Sequence, residues 1–529
     1  MNTPSGAPEV LVVGAGPVGL TAAHELARRG VRVRVVDRAT GPATTSRATA
    51  NHARTLEIYH QMGILAELLP RGRQVKHFTM HQHGRTMIRL GTDYAHLPTR
   101  FPFTLQVDQV VIEKVLRKRV RALGVDVEWG VGLENLEQHP DRVEAELRYA
   151  DGAAQEVQVP WLVGADGGHS RVRDQLGLRL FGDSTQTWLV ADSVVHADLP
   201  ADSLHWMHTG NGTIMLVPFP DKGKWRLLDT VDIDMDGGPS AVAARFAAKI
   251  SRALGRRVEV ATPSWVSVFT IQQRMIQKMR VDRCFMAGDA AHVHSPASGQ
   301  GMNTGIQDAY NLSWKLADVV RGHAGEDLLD SYGVERVPIA EKLMGSTNIA
   351  TSLVALRNAA APVVLPIGLG LLEAVKPLKR KVERKILTAM SGLALHYPHS
   401  PLSLPSPPTQ GFQPGQRVGC SVEAERDSEG WRALSAALTD PRWKLLAFVQ
   451  TQDLALEHVA RRYGKAVAVL LSPDRNGLLR KDFGADTGDY ALIRPDGYLS
   501  ARGRLSGVEQ LTELLDRVHL TREEHPPAQ

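Results

Sequence analysis

Three short stretches hold the residues whose types and spacing could do chemistry. In the first, Gly14-Ala15-Gly16-Pro17-Val18-Gly19 follows the apolar run Val10 to Val13 and opens an amphipathic stretch, and Asp37 closes the next apolar run. Glycine at the first position permits a tight turn, at the second lets backbone approach a pyrophosphate, and at the third lets helix and strand pack closely. The N–H groups at the start of that helix favour phosphate charge, and an acid placed like Asp37 accepts the hydroxyls of an adenosine ribose. The expected ligand is a dinucleotide. The other two stretches, Asp166-Gly167-Gly168-His169-Ser170-Arg171-Val172-Arg173 and Gly288-Asp289-Ala290-Ala291-His292, each follow an apolar strand. A carboxylate held in a turn at a strand end can accept hydroxyls from a polyol, which FAD carries and NAD does not. Either stretch alone could be a turn with a helix-capping aspartate; the three in this order point to FAD.

These residues need a frame. Val10 to Val13, a helix from Pro17 to Arg29 and a strand from Val31 to Val36 make a βαβ unit. Helices are expected from Ala53 to Leu69 and from Gln109 to Leu123, and strands at Val125 to Val131, Val143 to Tyr149 and Trp161 to Gly164. From Phe181 to about Val268 the pattern becomes short strands and turns, a β-rich layer. The βα pattern returns at Arg283 to Ala287, before a helix from about Met302 to Arg321 whose Ile306, Ala309, Leu312, Leu316 and Val319 mark a core face. The expected organisation is an α/β, Rossmann-type nucleotide-binding domain over 1–180 and 281–399, and a β-rich substrate-binding domain over 181–280 joined by part of 75–105. An exposed linker over 400–414, where SPLSLPSPPTQGFQP is rich in Pro and Ser, leads to a small α/β unit over 415–529.

Composition narrows the class. A chain of 529 residues with 43% hydrophobic and 22% charged residues has the balance of a multidomain globular protein. Its net charge of +5 is scattered, apart from a run near Lys376 to Lys385, and does not call for a nucleic-acid partner. Cys284 and Cys420 have no CxxC or metal-ligand spacing, which argues against a disulfide framework and fits a cytoplasmic protein. The stretch Ala359 to Val375 is almost wholly apolar. Two prolines, a glutamate and a length short of the ~20 residues needed to span make a core or substrate-channel helix the expectation, not stable membrane insertion. Gly368-Leu369-Gly370 is a decoy, because Glu373 stands where a third glycine should be, so a nicotinamide cofactor would bind without a domain of its own. His292 and His294 sit two apart beside Asp289, but no further ligand set is suggested and no metal is expected.

The trio of stretches resembles the group A flavoprotein aromatic hydroxylases, the family of para-hydroxybenzoate hydroxylase, and most closely its longer phenol and pentachlorophenol monooxygenase branch. The resemblance is strong over about residues 8 to 350. It implies that Gly14, Gly16, Pro17 and Gly19 with Asp37 and Arg38 hold the ADP half of FAD, that Gln106 and Asp166 lie near its pyrophosphate and ribose, and that Gly288 and Asp289 meet the ribitol chain. Arg47 looks like the family's arginine beside the flavin and its mobile loop. In Pro296 to Asn303, PASGQGMN, the family's glycine-rich loop would run along the flavin ring: Pro296 beside C4a, Gly299 and Gly301 in the loop, and Met302 and Asn303 at a helix start whose positive end can stabilise charge on reduced flavin. In the β-rich layer Met215, Val217 and Trp225 are candidate substrate-facing residues, with sheet packing the competing account. The last unit resembles the thioredoxin-like domain of that branch, without a CxxC; its Arg494-Pro495-Asp496-Gly497 resembles a recurring turn of such domains and could be only a hairpin.

The implied reaction consumes NADPH or NADH and O2 and hydroxylates a phenolic or polycyclic aromatic small molecule through a flavin C4a-hydroperoxide, with water excluded. Homodimers are common in the group. This chain departs from phenol hydroxylases that carry a substrate-deprotonating aspartate between Arg47 and Arg54: Thr49 stands there, and Ala48-Thr49-Ala50-Asn51-His52-Ala53 holds no carboxylate. The substrate could bind as phenolate, or a base could come from the β-rich layer. Baeyer–Villiger oxygenation, epoxidation and a non-catalytic flavin-binding protein stay open on the same scaffold.

Overall fold

The computed structural model describes residues 6–46, 48–91, 97–209, 212–293, 299–355, 375–406, 410–451 and 454–518. A six-stranded sheet carries the nucleotide-binding turns. Val10–Val13 lies inside it, paired in parallel with Trp161–Gly164 on one side and Val33–Asp37 on the other. Cys284–Met286 extends the sheet in parallel beyond Trp161–Gly164, and Val127–Trp129 beyond Val33–Asp37. A parallel strand covered on both faces should be apolar at every position, and Val10, Leu11, Val12 and Val13 are all buried. Helices α1 (Pro17–Ala27), α2 (Ala53–Gln61), α3 (Gln109–Ala122) and, later in the chain, α5 (Gly301–Val320) and α6 (Asp330–Ala355) belong to this part, α1 packing on both α3 and α5.

The helix expected from Ala53 to Leu69 is two helices. Gly63, at φ +75°, takes the left-handed conformation just beyond α2, and Ile64 N–H closes back on Tyr59 O at 2.9 Å, a helix-ending arrangement that glycine favours. A second stretch, Leu65–Leu68, then starts in a new direction.

The β-rich layer is one large sheet. Its order runs His292–Val293, Trp265–Met275, Phe181–His196, Lys224–Asp229, Thr213–Pro218, Ser203–His208, His77–Gln82 and Arg85–Leu90. His77–Gln82 joins in parallel to Ser203–His208, so an early part of the chain crosses over to complete the layer. Helix α4 (Gly238–Leu254) covers one face through Val242, Phe246 and Ile250, which pack with Ile214, Leu216, Trp225 and Leu227. The alternate residues, Met215, Val217, Leu228, Trp188 and Val190, form a separate apolar cluster on the other face, as period-two alternation requires.

The C-terminal unit is a four-stranded sheet ordered Val467–Leu471, Trp443–Ala447, Asp489–Ile493, Leu499–Arg504. It is not a bead on a string. Trp314 of α5 packs edge-on against Trp443 at 5.4 Å, and Trp314, Ala324 and Leu328 share one buried cluster with Leu445, Leu456 and Leu492. The segment over 400–414, expected as an exposed linker, is likewise tied down where it is described: Ser400 and Leu402 are buried, Ser400 Oγ donates to Glu335 at 2.5 Å, and Leu404 N–H donates to Ser500 O. Ser403 N–H closes a turn on Ser400 O at 3.0 Å, and the hydroxyls of Ser400 and Ser403 add hydrogen bonds to Leu402 N–H and Tyr397 O as the segment runs between two folded units.

Among the described residues no helix is long and apolar enough to cross a membrane. Most of the apolar stretch Ala359 to Val375 lies outside the described residues.

Candidate active site

The first glycine turn is built as a cradle. Gly14 sits at φ +107°, and a Cβ there would lie 2.3 Å from Ala165 O; a Cβ on Gly19 would lie 1.9 Å from Gly14 O. Those two glycines are demanded by the fold. Gly16 differs, since a Cβ on it would meet nothing within 4 Å, so its open side is where a ligand's backbone could approach. The Asp37 carboxylate braces the turn, accepting Ala15 N–H at 2.7 Å and Ala39 N–H at 2.8 Å. Pro17 opens α1 with no side-chain cap, which leaves the helix N-terminus facing the turn. Arg38 is exposed beside it.

Gln106 ends the strand Thr104–Gln106, and it is buried with no partner for its Oε1 among the described residues. A buried amide oxygen without a donor carries a cost, which a bound ligand would remove. Asp166 also braces the start of a helix. Its carboxylate accepts Ser170 Oγ at 2.5 Å, Arg171 N–H at 2.7 Å and Val172 N–H at 3.1 Å, so it caps the short helix Arg171–Gln175. Burial pushes its pKa up, opposed by those bonds. The carboxylate of this stretch thus caps a helix, and the Asp166 backbone lines the Gly14 turn.

The third stretch folds as a 3₁₀ turn over Gly288–Ala290, with Asp289 exposed on it and Gly288 at φ +62°. Gly288, Gly305 and Val18 interlock: a Cβ on Gly288 would lie 2.8 Å from Val18, and one on Gly305 would lie 2.7 Å from Val18 and 2.9 Å from Gly288. Beneath the turn Gly288 N–H donates to Asp308 Oδ2 at 3.1 Å, His292 Nε2 lies 2.6 Å from the same oxygen, and Arg336 Nε donates to Oδ1 at 2.7 Å. Burial alone would raise the Asp308 pKa, but His292 and Arg336 hold it below the usual carboxylate value. His292 thus belongs to the support of the turn.

At the start of α5 Asn303 is a bracket. Its amide nitrogen donates to Ala50 O at 2.8 Å and Gly299 O at 2.7 Å, and its oxygen accepts His52 N–H at 2.9 Å. The first intrahelical N–H donor of α5 is Thr304, to Gln300 O, so the amides of Gly301, Met302 and Asn303 form the positive end of the helix. His52 is buried, with Nδ1 at 3.1 Å from Thr104 Oγ1 and Nε2 beside Gly299. Arg47, Pro296 and His294 lie outside the described residues. An open Gly16 side, an amide oxygen awaiting a donor, an acid on the Gly288 turn and a helix N-terminus behind a glycine-bearing loop fit FAD.

Across from these turns stands the face of the large sheet that α4 does not cover. Arg226 settles its direction: it shares that face with Leu228, pairs with Asp192 through two contacts of 2.8 Å, and donates Nη2 to Ser46 O at 2.7 Å. Phe219 and Trp265 rings flank its guanidinium, each 5.4 Å away. Met215 and Val217 therefore face the nucleotide-binding part. Trp225 does not; its ring lies in the core against α4, 5.5 Å from the His205 ring, and we correct that expectation to sheet packing. Sequence reasoning missed the Arg226–Asp192 pair and the His292–Asp308–Arg336 chain. The signal was available, a charge inside an apolar strand or helix, which is seldom buried unless paired.

The fold and the turns define a flavoprotein of the para-hydroxybenzoate hydroxylase type. A model of the FAD binding domain matches residues 7–347, and the chain belongs to that family, within its group A aromatic monooxygenases. It is 57% identical over 532 residues to the 6-methylpretetramide 4-monooxygenase of Streptomyces rimosus, covering 98% of this chain and 95% of that protein. It is 31% identical to the pentachlorophenol 4-monooxygenase of Sphingobium chlorophenolicum, covering 96% of both. Among solved structures, the OxyS anhydrotetracycline hydroxylase from Streptomyces rimosus superposes with a TM-score of 0.77 at 27% identity, covering 98% of this chain and 99% of that one. The chain is an FAD-dependent aromatic monooxygenase.

Proposed function

We propose that this enzyme hydroxylates a linear, fused-ring phenolic polyketide of the 6-methylpretetramide type, at the position its Streptomyces rimosus relative is named for. The observation that carries the proposal is end-to-end identity of 57% with that relative. The apolar sheet face supports it, because Met215, Val217 and Leu228 bring apolar side chains to the side of the sheet from which Arg226 reaches Ser46 of the nucleotide-binding part.

In this reading residues 1–180 and 281–399 bind FAD, 181–280 with part of 75–105 binds substrate, and 415–529 is a thioredoxin-like unit. The amides around Gly16 and the Asp37 carboxylate would hold the ADP half, Gln106 would meet the pyrophosphate and ribose, and Asp289 would bind the ribitol chain. FAD, reduced by NADPH or NADH, supplies the oxygen activation. The amides of Gly301, Met302 and Asn303 offset anionic charge at the ring. The apolar wall excludes water, which would otherwise divert the reaction to peroxide. Thr49 brings no carboxylate, so the substrate either enters as phenolate or meets a base from the β-rich layer. The need for reduced nicotinamide places the enzyme in the cytoplasm.

The test is turnover. The purified yellow protein, given 6-methylpretetramide with NADPH and then NADH, should consume oxygen and yield a product heavier by one oxygen, hydroxylated at C4. Turnover of simple phenols with none of the tetracycle would overturn the substrate assignment.

A further inference from the structure

Glu335 and Arg336 are neighbours on α6, and they reach in different directions. Arg336 donates Nε to Asp308 at 2.7 Å, Nη2 to Thr304 O at 3.3 Å and Nη1 to Tyr397 Oη at 2.9 Å. It thereby touches both the acid that holds the Gly288 amide and the first turn of α5. Glu335 faces the C-terminal unit. Its two oxygens accept Arg494 Nη1 at 2.5 Å and Nη2 at 2.9 Å, and they also take Lys315 Nζ at 2.8 Å and Asn311 Nδ2 at 2.7 Å, both from α5.

Arg494 lies in the hairpin turn singled out in the sequence, where Gly497 N–H returns to Arg494 O at 2.9 Å. It is fully buried, and so are Lys315 and Arg336; Glu335 is 2% exposed. The same turn reaches α2 and α5, since Arg54 Nη2 donates to Asp496 O at 2.6 Å and Asn311 to Asp496 Oδ2 at 3.2 Å. A hairpin closure needs none of this. Charges taken this far from water are tolerated only when each partner stays in place, so this one turn of the C-terminal unit ties α6 through Arg494 and α2 and α5 through Asp496.

We propose that Arg494 is a positioning residue for the flavin site: the C-terminal unit sets the Gly288–Asp289 turn and the start of α5 through Glu335, Arg336 and Asp308. This rests on the reading of that turn and helix start as the flavin site. Arg494 itself touches neither.

The experiment compares FAD titrations of the full-length apo-enzyme, followed by flavin fluorescence, with melting of the same apo-proteins. Four proteins are used: the parent, Arg494→Lys, Trp431→Phe in the C-terminal core away from the turn, and Asp289→Asn in the flavin turn. Arg494→Lys should bind FAD roughly two- to thirtyfold more weakly and release a larger share of peroxide per NADPH, while Trp431→Phe, at a similar loss of melting temperature, binds as the parent does. Unchanged FAD affinity in Arg494→Lys overturns the proposal, and so does an equal loss in both variants, which would mark general destabilisation. If Asp289→Asn binds FAD as the parent does, the site reading fails first and the coupling falls with it; if Asp289→Asn weakens binding and Arg494→Lys does not, only the coupling fails. Should Arg494→Lys not fold, Asp496→Asn, which loosens the same guanidinium without removing Glu335 from it, is read in its place by the same criteria.

Discussion

Single residues in the glycine turn separate folding from ligand binding. Gly14→Ala places a side chain at φ +107° and 2.3 Å from a carbonyl, so it should destabilise the apo-protein by several kcal/mol, about 1 to 3 of them from backbone strain alone, and abolish FAD retention. Gly16→Ala meets no neighbour, and it should leave apo-protein stability within about 0.5 kcal/mol while still weakening FAD. Apo-protein melting and FAD titration read the two effects independently; a Gly16→Ala variant that binds FAD normally would show that the open side is not the pyrophosphate side. These roles were readable from GAGPVG and Asp37, because they are local to one turn. The role of Asp166 was not, since a carboxylate at a strand end serves a ligand or a helix start equally well until the positions of Ser170, Arg171 and Val172 are known.

At the scale of elements, the two faces of the large sheet have different duties. Trp225→Ala empties a buried site against α4 and should cost about 3 to 5 kcal/mol of stability. Met215→Leu conserves volume and should stay within about 1.5 kcal/mol, yet shift kcat/KM for the aromatic substrate by roughly tenfold. Denaturant unfolding with steady-state kinetics checks both, and a Met215 variant with parental kinetics would remove that residue from the substrate wall. The strand Trp443–Ala447 offers a pH test. Lys444 is buried with its ammonium donating to the carbonyls of Asp440 and Arg442; burial pushes its pKa down to about 7, Asp440 opposing and Arg28, Arg29 and Arg442 adding to the shift. Its folded pKa lies below the unfolded value of 10.5, so between pH 7 and 10.5 the unfolded chain holds a proton that the folded one lacks. Stability from this group therefore rises with pH across that window, by up to about 1.4 kcal/mol per unit, and its full cost is present below pH 7. Lys444→Met should lack this slope; parallel stability curves between pH 7 and 9.5 would refute the assignment.

For the whole molecule, the shared cluster around Trp314 and Trp443 and the buried charges around Arg494 predict one cooperative unit. Flavin fluorescence and far-UV circular dichroism should report a single coincident melting transition, and a chain ending at residue 414 should not fold, because it would expose Trp314 and leave the buried Glu335 without Arg494. Two transitions well apart, or a stable yellow truncated protein, would contradict this. Long insertions in the chain are no obstacle to such unity, since closing a loop costs only about 0.6 kcal/mol more for each doubling of its length.

By itself the sequence pointed to the cofactor and the order of the layers, because each rests on patterns within a few tens of residues: a glycine turn between strand and helix, an acid at the end of a strand, a switch from helical to alternating periodicity; the class of reaction rested on the family resemblance those motifs carry. Only the tertiary structure decided which face of the sheet looks toward the flavin turns, that residues 77–82 join it in parallel beside Ser203–His208, and that the segment over 400–414 is a strap between two units. It also joined Asp192 to Arg226, Asp308 to Arg336 and Glu335 to Arg494, pairs 34, 28 and 159 residues apart. Local propensity fixes an element's type, but a buried charge is placed by a partner the chain delivers from elsewhere, and no spacing along the sequence encodes that distance.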